Sequence, residues 1–353
     1  MKKFQSFLSV LVLFVCSAGW TAVCEPVPGA IVVSDHVKAD GSADVAAAIQ
    51  ALIDANPNRT LWFPDGTYLL GQPIATPADP RRSVDLRLSN FAVLKATPGW
   101  TNVEAMVRLG GKCPANDIRT VGSCYSFQGG VIDGAGRAAG LSIDSGRETK
   151  VRDVSMKNVT MGIHIKHGAN SNSSDADLAD VNIVGASPSS SVGVWIESCD
   201  NTLTRMRIAN VLVGVRLTGS GNLMRCLHPL YTGRAPNYAS SVGFEDLGAD
   251  NCFDTCYSDH FSTGFLLGKG NGTVLDACIA WWYAPGKGTS HTALRTLGRF
   301  RAHVSNLRVG FRGKEAANAI LVEGAPGGDG VIRDLRCDES MVTASSAHKN
   351  YMR

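Results

Sequence analysis

The sequence predicts an all-β chain wound as a right-handed parallel β-helix, a solenoid, with an N-terminal capping α-helix. Three observations predict it. First, a unit made of an apolar residue, two mostly polar residues and a second apolar residue or cysteine recurs eight times: 151–154, 178–181, 203–206, 223–226, 253–256, 275–278, 304–307 and 332–335. The second anchors stand 20 to 30 residues apart, the period of a repeat architecture. Second, a glycine opens a short alternating segment behind most copies, at Gly162, Gly193, Gly214, Gly243 and Gly264. Third, a helical pattern with a single apolar face precedes the repeats.

A coil cannot bury its own apolar face, so successive coils must stack, with parallel strands roughly 4.8 Å apart. Equivalent residues then form columns. Val154, Val181, Met206, Cys226, Cys256, Cys278, Leu307 and Leu335 read as one inward column. Ile163, Val194, Val215, Phe244 and Phe265 read as a second, and His164, Trp195, Arg216, Glu245 and Leu266 as an outward one. Asp246 falls among the inward residues Ile165, Ile196, Leu217 and Leu267, where a slipped register is expected over a buried acid of raised pKa. A sandwich of antiparallel strands would leave the in-line repetition unexplained, and hairpin signals are sparse.

From the start of the chain, Met1-Lys2-Lys3, an apolar run over 7–15 and small residues up to Ala22 read as a signal peptide over 1–24. That reading makes the protein secreted or periplasmic. Residues 25–340 then form a single β-helix domain, with the cap at 40–70 and the coils over about 124–340, before a C-terminal tail at 341–353. In the cap, Gly41-Ser42 precedes a helix with Val45, Ile49, Leu52 and Ile53 on one face, and Asn56-Pro57-Asn58 stops it. Such a helix covers the apolar cross-section that a solenoid end would expose. Residues 61–64 and 67–70, joined by Asp65-Gly66, read as two short strands.

The 353 residues carry 18% charged side chains and 38 glycines, as a turn-rich β protein requires, and suffice for a large core. A formal charge of +3 is too small to argue for nucleic acid, and no stretch is long enough for stable membrane insertion. Export permits disulfides; Cys113 and Cys124 bracket a short loop and are the best candidate pair. Cys226, Cys256 and Cys278 read as small buried apolar residues rather than as bridges or ligands. Neither a metal nor a cofactor is expected, because no zinc-type spacing of Cys and His occurs. Side-by-side association into a homo-oligomer is compatible with a long solenoid.

Asp40-Gly41-Ser42-Ala43-Asp44, Ala47-Ala48-Ile49-Gln50-Ala51-Leu52-Ile53 and Leu61-Trp62-Phe63-Pro64-Asp65-Gly66-Thr67-Tyr68 resemble the opening of the pectate-lyase-like β-helix superfamily. Gly129-Gly130-Val131-Ile132-Asp133-Gly134 is similar to the segment that starts the coils in those proteins. The resemblance covers the cap by motif and the coils by pattern. It implies the fold, and carbohydrate processing as the commonest activity. The superfamily's best-known catalytic motifs are absent from this chain, so the chemistry has to be argued locally.

Two long insertions, over 229–242 and 281–292, flank a short connection at Asp259-His260, giving two walls around a low floor. Trp281, Trp282 and Tyr283, with Tyr231, Arg216 and Trp195, are the expected substrate-binding residues, because sugar C–H faces stack on aromatic rings. Glu245, Asp259, His260, His291 and Arg295 are the expected catalytic residues. Glycoside hydrolysis uses two carboxyl groups about 5–5.5 Å or about 6.5–9.5 Å apart, distances that coil stacking supplies. Asp254 and Asp276, one coil apart, read as turn residues. Elimination would need a cation such as Arg295 or Arg216 and a base such as His260, His291 or Tyr283. The expected function is an exported enzyme cleaving a polysaccharide, with hydrolysis ahead of elimination. The alternatives are a non-catalytic glycan-binding surface protein, and a polysaccharide lyase or epimerase acting on a uronate polymer.

Overall fold

A computed structural model describes residues 27–110, 124–167, 173–232, 236–268, 272–283, 291–312, 318–322 and 328–337. Their strands stack into three all-parallel sheets of 12, 11 and 10 strands, here sheets 1, 2 and 3. Each full coil gives one strand to each sheet in turn, as Cys252–Asp254, Tyr257–Asp259 and Thr263–Leu267 do. The fold is a parallel β-helix, and it fits the right-handed sense that parallel crossover connections take.

The eightfold repeat marks the corner between sheets 1 and 2. A single left-handed residue makes that corner in every copy: Asp153, Asp180, Arg205, Cys226, Thr255, Ala277, Asn306 and Asp334, with φ between 51° and 58°. Left-handed backbone costs a non-glycine residue roughly 1–2 kcal/mol. Hydrogen bonding to the next coil offsets it, as where the N–H groups of Arg205 and Cys226 donate to Arg225 and Asp254 at 3.0 Å each. Cys226 is thus exposed at the corner and not in the inward column; Leu227 takes the inward place. The pairing of Leu203 with Met224 places this copy one residue later than the pattern read from the sequence. Cys256 and Cys278 are buried and free, and their thiols donate to the Met224 and Phe253 carbonyls, each at 3.4 Å.

The other two predicted columns pair as read. Ile163, Val194, Val215, Phe244 and Phe265 run through the core, with Phe244 and Phe265 stacked at 4.9 Å. The register at Asp246 has not slipped: it pairs between Leu217 and Leu267 and is 2% exposed. The cause is an asparagine ladder. Asn201 donates to Asn222 at 3.0 Å, Asn222 to Asn251 at 3.1 Å, and Asn251 to Asp246 at 2.8 Å. The next coil has Thr273, whose hydroxyl donates to the other oxygen of Asp246 at 2.6 Å. Asp246 closes a ladder that has run out of asparagines. Burial pushes its pKa up, against the hydrogen bonds that lower it.

Helix α1 (Ala46–Ala55) buries Ala46, Ile49 and Ile53 and packs against strands Gly66–Leu70 and Ile74–Ala75. The Gln50 side chain bonds the backbone of Ala75 twice, at 2.8 and 3.0 Å, which satisfies the edge of sheet 3. Stacking begins earlier than the boundary near 124. Ile31–Val32 already pairs with Thr60–Phe63, and the latter with Asp85–Leu88. These coils lack the repeated anchor pair, so the pattern does not mark them. Among the described residues no helix is long and apolar enough to cross a membrane. The signal segment 1–24 and the tail 341–353 lie outside the described residues.

Candidate functional site

Strand Tyr257–Asp259 in sheet 2 buries Ser258 and turns Tyr257 and Asp259 outward. Asp259 pairs with Leu230 on one side and Trp281 on the other. One carboxylate oxygen of Asp259 bonds His260 Nδ1, and the other lies 3.4 Å from His228 Nε2. Burial pushes the Asp259 pKa up, but the hydrogen bonds and charges of the two histidines outweigh it and hold it at about 2. The hydrogen bond to that carboxylate in turn raises the pKa of His260. The His228 ring stacks on Tyr257 at 4.3 Å. Burial, with the Asp259 charge, pushes the Tyr257 phenol up to about 12.

His260 is a strut. Its backbone is left-handed, with φ of 65°, which swings the ring across to the next coil. With Nδ1–H on Asp259, the free Nε2 accepts the Tyr283 N–H at 2.9 Å. The Tyr283 carbonyl stands 3.1 Å from the same nitrogen and becomes its acceptor when the ring is protonated. Trp281 pairs with Gly310 in the following coil, and a methyl group at Gly310 would sit inside its indole. The missing side chain lets the ring lie along the sheet.

Trp282, His291 and Tyr231 stand beneath this face rather than on it, which corrects the expectation that they line a cleft. Alternation along Ile279–Tyr283 turns Trp282 inward, where it is 1% exposed and donates its indole N–H to Phe261 O at 2.6 Å. His291 is also 1% exposed, with the Tyr238 hydroxyl 3.1 Å from Nδ1. Burial, with the charge of His260, pushes its pKa down to about 4. Tyr231 is buried edge-on between Tyr238 and Phe261. This aromatic packing closes the corner between sheets 2 and 3, where the insertions were predicted to rise. Residues 284–290 of the second insertion lie outside the described residues.

Glu245, Arg216, Trp195 and Arg295 share a different face, the outward column of sheet 3. Arg216 is ion-paired with Glu245 and lies over the Trp195 ring at 5.8 Å. Trp195 stacks on His164 at 4.7 Å. The fold therefore brings Asp259, His260, Trp281 and Tyr283 together on sheet 2, and sets Glu245 and Arg295 apart from them on sheet 3. Asp254 and Asp276 face out of sheet 1, bonded to Arg225 at 2.7 Å and to Ser305 at 2.6 Å. Tyr257, Gly310 and His228 are functional-site residues that the sequence reading does not single out. Tyr257 stands two residues before Asp259 on the same strand, whereas His228 and Gly310 are one and two coils away and need the true register to be read. The Cys113–Cys124 pairing lies outside the described residues. Among the described residues no three metal-binding side chains cluster.

No protein family model matches the chain, and no curated protein matches it. Solved structures do. A tailspike protein mutant of E. coli bacteriophage HK620 in complex with a pentasaccharide superposes with a TM-score of 0.63 at 13% identity, over 90% of this chain and 63% of that one. PfbA, a surface adhesin of Streptococcus pneumoniae, gives a TM-score of 0.58 at 14% identity, over 90% and 93% of the two chains. An alginate lyase from Paenibacillus sp. str. FPU-7 gives 0.56 at 12% identity, over 83% and 97%. The chain thus spans under two thirds of that tailspike and nearly all of the other two. At these identities the likeness is one of fold: a parallel β-helix built of three all-parallel sheets.

Proposed function

We propose that this protein binds an acidic polysaccharide on the outer face of sheet 2 and cleaves it by elimination. The observation that carries the reading is the ionised Asp259 held between His228 and His260, one strand from the Trp281 platform. Retaining or inverting hydrolysis needs a carboxyl group that is protonated near neutrality. The carboxyl described here as raised, Asp246, is inside the core, and Glu245 is tied to Arg216 on another sheet. Among the described strands of sheet 2 around this point, Asp259 is the one carboxylate. That favours elimination over the two-carboxylate chemistry expected from the sequence.

In this reading His228 takes the proton on the carbon next to the sugar carboxylate, and Asp259 stabilises the imidazolium formed. The C–H electron pair becomes the new C=C bond, and the C–O bond to the departing sugar breaks with its electrons on oxygen. Tyr257, held as the neutral phenol, gives that oxygen its proton; the phenolate then regains one from water, and the His228 imidazolium gives its own up to the hydroxide left. His260, with both ring nitrogens engaged, is a positioning residue. Trp281 supplies a ring face for the sugar. The same proposal includes α1 as the cap of the first coil and export of the chain through its N-terminal segment.

A panel of acidic and neutral polysaccharides tests the reaction. Elimination predicts an ultraviolet-absorbing unsaturated end, which Asp259→Asn lowers by about a hundredfold or more while circular dichroism stays unchanged. New reducing ends without that absorbance would mean hydrolysis. A second reading, glycan binding without turnover, is favoured by the stacked His164–Trp195 pair and the Arg216–Glu245 ion pair of sheet 3, which offer a ring and charges to a bound sugar. It predicts binding, and neither product.

A further inference from the structure

Several arginines on this surface are paired with carboxylates. Arg205 grips Asp180 with two hydrogen bonds of 2.6 and 2.7 Å, Arg225 meets Asp254 at 2.7 Å, and Arg152 and Arg216 bond Asp177 and Glu245. Two arginines of sheet 2 depart from this. Arg207 and Arg308 are exposed, and neither makes an ion pair or a side-chain hydrogen bond among the described residues. Register puts both in the outward column that holds His228 and Tyr257. Arg207 pairs with His228, Tyr257 pairs with Ile279, and Ile279 pairs with Arg308. The column reads Arg207, His228, Tyr257, Ile279, Arg308 along the axis, so the two unpaired cations bracket the proposed site. Four coil steps separate them, roughly 19 Å at the parallel-strand spacing.

The Arg207 end opens into a groove of about 450 Å³, lined also by Asn182, Cys226 and His228. Asp180 is part of the same lining, but its charge is taken by Arg205. What remains is a net positive recess joined to the site through His228. An exposed cation without a partner gains most from an anion that brings its own acceptor oxygens, and a guanidinium takes a carboxylate with two parallel hydrogen bonds.

We infer that the outward column from Arg207 to Arg308 is an anion-reading track: a linear glycan lies along the solenoid axis, with carboxylates seated on the two arginines and the reacting sugar between them at His228 and Tyr257. The inference rests on the proposed function, since it names the direction and the specificity residues of that same site. It makes chain length matter. A short oligosaccharide reaches one arginine, and one that spans four coils reaches both.

The test is calorimetric binding of acidic oligosaccharides of graded length, each also in a carboxyl-reduced form. Unaltered protein is compared with Arg207→Ala, Arg308→Ala and, as an exposed control on sheet 1, Arg333→Ala. The track predicts about tenfold weaker binding of long acidic chains by each of the first two, the size of one lost charged hydrogen-bonding contact. It predicts little change with the reduced chains and none for Arg333→Ala. With oligosaccharides too short to span the column, the two losses do not occur together. Tight binding that neither substitution weakens would overturn the track while leaving the proposed function standing. No binding of any glycan by the unaltered protein would overturn both.

Discussion

At the scale of single residues, two buried groups set opposite pH dependences. His291 is 1% exposed with a pKa of about 4, against about 6.5 in an unfolded chain. The unfolded chain therefore binds the proton first as pH falls, so stability is full above about 6.5 and declines toward pH 4, by up to about 3 kcal/mol. Urea unfolding should show this decline reduced in His291→Gln relative to the unaltered protein. Asp246 has the reverse sign. Its folded pKa is raised, so the folded state holds the proton longer, and stability falls as pH rises from about 4 toward the raised value. Asp246→Asn keeps an oxygen for Asn251 and can donate to Thr273. It should unfold at higher urea near neutrality than the unaltered protein and lose that part of the pH slope. If Asp246→Asn were less stable at every pH, the ladder would need the charge, and the account of its burial would be wrong.

At the scale of the element, what counts is which way each strand faces. Alternation let the outward column His164, Trp195, Arg216 and Glu245 be read from the sequence, because a leading glycine fixed each phase. It misled at Ile279–Tyr283, where three aromatic residues in a row looked like one patch; one is turned to the core and the other two outward. The pattern misled again at Cys226, because residues 223–226 and 224–227 both satisfy it and the corner residue itself is a cysteine. Asp259 and His260 were legible from the short connection. Their partner His228 was not tied to them, since it comes from a strand one coil earlier and only the register brings it there. The ladder belongs to this scale too. Asn222 bonds a neighbour on each side and is buried, so Asn222→Ala strands both, and each orphaned group costs about 1–3 kcal/mol. A fall in the thermal midpoint without change in the far-ultraviolet spectrum is expected, and an unchanged midpoint would mean that the ladder adds nothing.

At the scale of the whole molecule, stacking makes sites out of residues far apart in sequence. Arg207, His228, Tyr257 and Trp281 come from four different coils, yet lie on one flank because a coil adds one layer and no lateral shift. The fold was legible because its cause, burial of a repeated apolar face, is written at every copy. The earliest coils were not, since residues 60–110 stack without the repeated anchors. Glu245 was predicted on the flank of Asp259 and stands on sheet 3 instead, because the corner between sheets 2 and 3 falls between them. The molecule thus carries two ring-bearing faces, Trp281 on sheet 2 and Trp195 on sheet 3. The most direct measurement is the affinity for acidic oligosaccharide of Gly310→Ala, which displaces the Trp281 ring, beside that of Trp195→Ala. Weakened binding in the first and unchanged binding in the second is the predicted result; the converse would move the site to sheet 3 and contradict the account.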